Sequence, residues 1–108
     1  MTKLNGAMNQ KVTTADSFDA DLKASEVVMV KFTAEWCAPC RAIQPAIDAV
    51  VNERRDVTVL HVDVDAEQRL AERFAVRTVP MMFVFRGGRP VGQMVGNASR
   101  ATLEKLLR

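Results

Sequence analysis

Cys37 and Cys40 are the only cysteines among 108 residues, and only Ala38 and Pro39 separate them. Thiols this close can pass between dithiol and disulfide, and the flanking residues set where the pair must sit. Val27-Val28-Met29-Val30-Lys31-Phe32 is a short, β-branched, mostly apolar run that reads as a buried strand. Arg41 to Val51 follows the pair with helical spacing. The chain must therefore turn from a strand into a helix at the cysteines. A CxxC at such a junction is a redox motif.

The chemistry follows from the helix start. The first turn carries unpaired N–H groups and the positive end of the macrodipole. A thiolate held there is stabilised and becomes nucleophilic near neutral pH. Cys37 falls at or just before that turn and is expected to be the exposed, low-pKa nucleophile. Cys40 lies one turn further in, more buried, and is expected to be the resolving thiol. Pro39 suits an early helical position, where its missing N–H costs little.

The remaining elements are spaced along the chain in alternation. Residues 1–10 read as a loose leader, with a short strand near Lys11-Val12-Thr13. Thr13 or Thr14 is expected to cap a helix through about Ala24, since Thr13 and Asp16 have capping-box spacing. A helix is expected over Cys37 to Arg54, a strand over Val57 to Asp63, and a short helix over Glu67 to Phe74. Pro80 to Phe85 reads as a strand, Gly87-Gly88 as a two-residue turn, and Pro90 to Val95 as its partner strand. Asn97 or Ser99 caps a last helix ending at Leu107. Strands alternating with helices and closing on a hairpin give an α/β, three-layer domain, expected as a single unit over residues 11–108.

Composition excludes several classes. Hydrophobic residues at 48 % are enough for a core, and a net charge of +2 gives no electrostatic case for nucleic acid. No apolar run approaches the roughly 20 residues of a membrane helix. Met1 to Met8 lacks the apolar stretch of a secretory signal, so a reducing, cytoplasmic setting is the expectation. There a cysteine pair is more often catalytic or metal-binding than a structural staple. Structural zinc wants four ligands, and the chain offers one pair and a single histidine, His61. No metal site within one chain is expected, although two chains could share a zinc or an iron–sulfur cluster through their pairs. No phosphate-binding loop, Ser–His–Asp set or cofactor signature is present, so electrons must come from another protein.

Ala34-Glu35-Trp36-Cys37-Ala38-Pro39-Cys40 resembles the active-site segment of the thioredoxin family, with Ala38 where Gly is usual. The likeness runs from about Asp16 to Leu107. It includes Pro45 within the helix, Val62-Asp63-Val64-Asp65 at a strand end, Val76-Arg77-Thr78-Val79-Pro80, Phe85-Arg86-Gly87-Gly88 and Gly96. The resemblance implies the thioredoxin fold, a central mixed β-sheet flanked by helices on both faces. It implies a thiol–disulfide oxidoreductase that reduces protein disulfides through Cys37 and Cys40. Thioredoxin reductase would be the electron donor and oxidised proteins the substrates, with a monomeric chain and no cofactor. It also implies a cis Val79–Pro80 bond beside the cysteines, with Val79, Pro80 and Gly96 forming a substrate groove and Trp36 a semi-exposed wall.

Three positions depart from the family pattern. Lys31 stands where the family has a buried aspartate beneath the second cysteine, His61 where it has a lysine, and Thr33 where it has a second tryptophan. Asp63 shares a strand face with His61 and is expected to pair with Lys31. A cation there favours thiolate, which leaves a less reducing, oxidant- or isomerase-like exchanger as the alternative function, beside a metal- or cluster-binding module.

Overall fold

The computed structural model describes residues 9–108, which form five strands and four helices in the order β1 (Gln10–Val12), α1 (Phe18–Asp21), β2 (Val27–Thr33), α2 (Ala38–Glu53), β3 (Val57–Asp63), α3 (Gln68–Arg73), β4 (Met81–Arg86), β5 (Arg89–Val95) and α4 (Arg100–Leu106). β2 is buried along its whole length, Lys31 and Thr33 included, and it takes the centre of the sheet. The strand order is β1-β3-β2-β4-β5. β1 and β2 run parallel to β3, while β4 is antiparallel to both β2 and β5. The sheet is therefore mixed and carries helices on both faces, the α/β arrangement that the resemblance implies.

Side-chain alternation divides the core into two layers. Val27, Met29, Val57, Val59, Met82 and Val84 face α2 and α4, where Ile43, Ile47, Val50, Val51, Leu103 and Leu107 meet them. Val28, Val30, Phe32, Leu60, Val62, Met81, Phe83 and Phe85 face α1 and α3, against Phe18, Leu22, Leu70 and Phe74.

Three boundaries differ from expectation. Of the expected leader, residues 1–8 lie outside the described residues, whereas Asn9 and Gln10 belong to the fold. Asn9 donates to the carbonyls of Val51 and Val57, and Gln10 is a buried member of β1. The expected helix from Thr13 or Thr14 to Ala24 shrinks to four residues capped at Ser17. Thr13 instead extends the β1 ladder by donating to the His61 carbonyl, and its hydroxyl bonds to Asp21. Side chains that bond backward and forward in this way compete with a helix start. The strand expected from Pro80 begins at Met81, because proline has no N–H for the ladder.

Candidate functional site

The site forms where β2 hands over to α2. Cys37 is the N-cap of α2, with extended backbone angles, and Pro39 sits in the first turn. The Cys40 N–H donates to Cys37 Sγ at 3.2 Å, so the sulfur takes the place of the oxygen of an ordinary N-cap. Cys37 and Cys40 form a disulfide, their Cα atoms 5.3 Å apart. Ala34, Val64 and Val79 pack around them. The Val79–Pro80 peptide is cis, and the Val79 carbonyl oxygen lies 3.6 Å from Cys37 Sγ.

Cys37 is not exposed as the sequence suggested. It is 3 % accessible, against 1 % for Cys40, because Ala34 and Val79 close over it. The surface beside it is open instead. Trp36 is 69 % accessible, with its indole N–H bonded to Asp65, and with Val64, Val76, Arg77, Thr78 and Val79 it lines a groove leading to the disulfide. Gly96 donates its N–H to the Pro80 carbonyl from a φ of +87°, a backbone angle that favours glycine. Open space lies where its side chain would be. Trp36, Cys37, Cys40, Val79, Pro80 and Gly96 thus converge on one edge of the molecule.

Beneath α2 lies a second layer of the site. Lys31 is 1 % accessible, and its Nζ donates to the Cys40 carbonyl and to Gln44 Oε1, each at 2.9 Å. The Gln44 amide N–H groups donate to Gln10 Oε1 and Asp48 Oδ1. Gln10 in turn donates to Asp48 Oδ1 at 2.8 Å. His61 is also 1 % accessible and stands beside Lys31 in the parallel register. Its Nε2 is 2.8 Å from Gln10 Oε1. An amide oxygen only accepts, so Nε2 carries the proton. Burial, then the Lys31 charge, push this imidazole down to about 3, with Asp48 opposing. Burial pushes the Lys31 amine down to about 8, again with Asp48 opposing.

The expected Lys31–Asp63 pair does not form. Asp63 Oδ1 accepts from the N–H groups of Asp65 and Ala66 and closes the turn after β3. A carboxylate at a strand end satisfies local amides sooner than it reaches along the sheet. Lys31 finds its negative partner through Gln44, on the helix above. Gln10, Gln44, Asp48 and Asp65 were not singled out from sequence. Cys40, Gln44 and Asp48 form an i, i+4, i+8 row on α2, which is the one signal that could have found two of them. Among the described residues, no group of three or more His, Cys, Asp or Glu side chains is placed to hold a metal.

Comparison with known proteins agrees with this geometry. The thioredoxin family model matches residues 9–108. A thioredoxin from Chlamydia muridarum is 39 % identical over 97 residues, covering 90 % of this chain and 94 % of the relative. A bifunctional thioredoxin reductase/thioredoxin from Mycobacterium leprae is 36 % identical over 92 % of this chain, which matches 22 % of that longer protein. The solved structure of a mutant thioredoxin from Halobacterium salinarum superposes with a TM-score of 0.84 at 30 % identity, over 92 % of this chain and 88 % of that one. Neither the exchanger nor the metal-binding alternative is favoured by these relatives. A disulfide that borrows the capping position of a helix is the working part of a thiol–disulfide oxidoreductase, and the chain belongs to the thioredoxin family.

Proposed function

We propose that Cys37 is the attacking thiol and Cys40 the resolving thiol of a protein-disulfide reductase. The hydrogen bond from the Cys40 N–H to Cys37 Sγ carries this assignment. Once the pair is reduced, that N–H and the other free amides of the first turn face a Cys37 thiolate and lower its pKa. Cys37 Sγ attacks one sulfur of an oxidised substrate. That S–S bond breaks, Cys37 is joined to the substrate, and the released substrate sulfur takes a proton. The Cys40 thiolate then attacks Cys37 Sγ. The Cys37–Cys40 bond forms, and the second substrate sulfur leaves as a thiol. Two electrons pass from the pair to the substrate.

An extended stretch of substrate would lie along the groove, against Trp36, Val79, Pro80 and Gly96, while Pro39 keeps the first turn helical. Thioredoxin reductase would return the electrons. The Mycobacterium leprae relative, whose name joins a reductase to a thioredoxin, supports that partner. The chain would act as a monomer in the cytoplasm, as one domain that takes in Asn9 and Gln10 along with residues 11–108, where a reducing pool lets the pair turn over.

Two variants test the assignment. Cys37→Ser is expected to abolish disulfide reduction, and Cys40→Ser to accumulate a mixed disulfide with its substrate. In the reduced wild-type protein, iodoacetamide at neutral pH is expected to label Cys37 first. Faster labelling of Cys40 would overturn the order.

A further inference from the structure

Lys31 has no counterpart among the other side chains of the core. It is fully buried, yet its amine reaches the backbone of a redox cysteine. Nζ is 2.9 Å from the Cys40 carbonyl oxygen. Four covalent bonds separate that oxygen from Cys40 Sγ, which bounds the Nζ-to-Sγ distance at about 8 Å. Cys37 Sγ is one S–S bond farther out, at most about 10 Å away.

The groups around the amine come from four elements. β3 supplies His61, held neutral, and Asp63, which is turned to the N–H groups of Asp65 and Ala66. β4 supplies Met82, the register partner of Lys31 on that side, which carries no charge. α2 supplies Cys40, Gln44 and Asp48, and β1 supplies Gln10, which bonds to both Gln44 and Asp48. The carboxylate that acts on Lys31 is Asp48, relayed by the Gln44 amide. The opening and closing of the disulfide, through the thiolates they expose and consume, are therefore the steps of the proposed cycle that change the charge next to this amine.

We propose that Lys31 is a positioning residue that carries a redox-linked proton: its amine holds the Cys40 end of α2, takes up a proton as the disulfide opens, and releases it as the disulfide closes. The disulfide is neutral. When two electrons from a dithiol donor break the S–S bond, a thiolate appears within about 10 Å of Nζ. At an effective dielectric near 20, this attraction raises the amine's pKa by about one unit. The amine of the oxidised protein is already down at about 8, so the shift falls where it can be read. The sign follows by linkage. Below that value Lys31 is charged in both redox states, and the cation stabilises the reduced one. About one unit higher it is neutral in both, and the advantage is gone. Between the two, each reduction takes up about half a proton on Nζ beyond those taken by the sulfurs.

The inference rests on Cys37 and Cys40 being a working redox couple, which the trapping and labelling of the previous section test separately. The deciding measurement is on the wild-type chain: NMR titration of the lysine side chains in the oxidised and in the reduced protein. The lysine that titrates near pH 8 in the oxidised form is expected to titrate about one unit higher when reduced. Equal values in the two states, as a purely structural amine would give, overturn the proposal. Variants give a second readout against one dithiothreitol buffer, whose own titration cancels between proteins. Relative to Lys31→Met, the wild-type ratio of reduced to oxidised protein is expected to be up to about tenfold higher at pH 7.5 and equal by pH 10. A tenfold change corresponds to about 30 mV for this two-electron couple. Lys31→Arg, charged throughout, is expected to keep the advantage without the fall. A wild-type to Lys31→Met ratio that does not change with pH also overturns it.

Discussion

On the face of the sheet toward α1 and α3, Phe18, Phe32, Phe74, Phe83 and Phe85 pack ring against ring, with centroids 5.3–6.4 Å apart. They are all five phenylalanines of the chain. On the face toward α2 and α4, the same strands begin as apolar, with Val27 and Met29 beside Val57 and Val59. They then turn polar at one register level, Lys31 beside His61. The difference is one of placement. Burial of aromatic surface supplies cohesion on the first face, where geometry matters only to packing. The second face gives up some of that cohesion directly beneath Cys40. It buries a cation and an imidazole there, which is tolerable because most of their polar atoms have partners. His61 Nδ1 is the exception, buried without a partner among the described residues.

The strongest way to break the comparison is to damage the aromatic face and look for redox consequences. Phe32→Ala removes a fully buried ring that touches both Phe74 and Phe83. It is expected to cost about 3–5 kcal/mol in denaturant unfolding. The pH profile of the couple should stay as it is in whatever fraction remains folded. A profile that shifts with Phe32 would mean that the two faces are not separable.

A second test acts on the polar face through pH. His61 titrates at about 3 in the folded chain, against an ordinary value of 6.5. Above pH 6.5 both folded and unfolded chains hold a neutral ring. Between about 6.5 and 3 only the unfolded chain takes the proton, so stability falls as pH falls. The loss is about 1 kcal/mol per pH unit across that window. His61→Phe is expected to flatten this part of the curve, measured by urea midpoints from pH 7 to pH 4. An unchanged slope would place the acid sensitivity elsewhere.

The smallest effect sharpens the contrast within the network itself. Asp48 holds the Lys31 pKa up against burial. Asp48→Asn is therefore expected to lower the pH at which Lys31 titrates, with a stability change of about 1 kcal/mol. Lysine NMR reads the first quantity and unfolding the second. An unchanged Lys31 pKa would show that another carboxylate governs the amine.

Much of this was legible in the chain. Cys37, Pro39 and Cys40 announce their chemistry locally, because a helix start needs only a few consecutive residues to define it. β3 matches its expected span, and α2 runs as expected between its caps Cys37 and Arg54. The two-residue hairpin turn after β4 also needs only local signals. Contacts assembled from distant segments were not legible. Alternation places Asp63 on the same face as Lys31, but not the direction in which a strand-end carboxylate turns. Gln10, Gln44 and Asp48 come together only when β1, β3 and α2 are stacked. A glutamine in an expected leader gives no hint that it will accept from the single histidine. The α1 boundary failed for a related reason, since Thr13 found its partners in the strand and in Asp21.

Gln10 enters this network from β1, a three-residue strand at the edge of the sheet. Edge strands that short are the first to fray. If β1 lifts away, His61 loses the acceptor for its Nε2 proton, and Asp48 loses one of its donors. Asp48 is the counter-charge that Lys31 reaches through Gln44, and Lys31 is clamped to Cys40. Whatever is fused to, or trimmed from, the N-terminal side of residue 10 is thus a few hydrogen bonds from the sulfurs. The first strand of this chain is tied, through Gln10, Gln44 and Lys31, to the backbone of a cysteine of the disulfide.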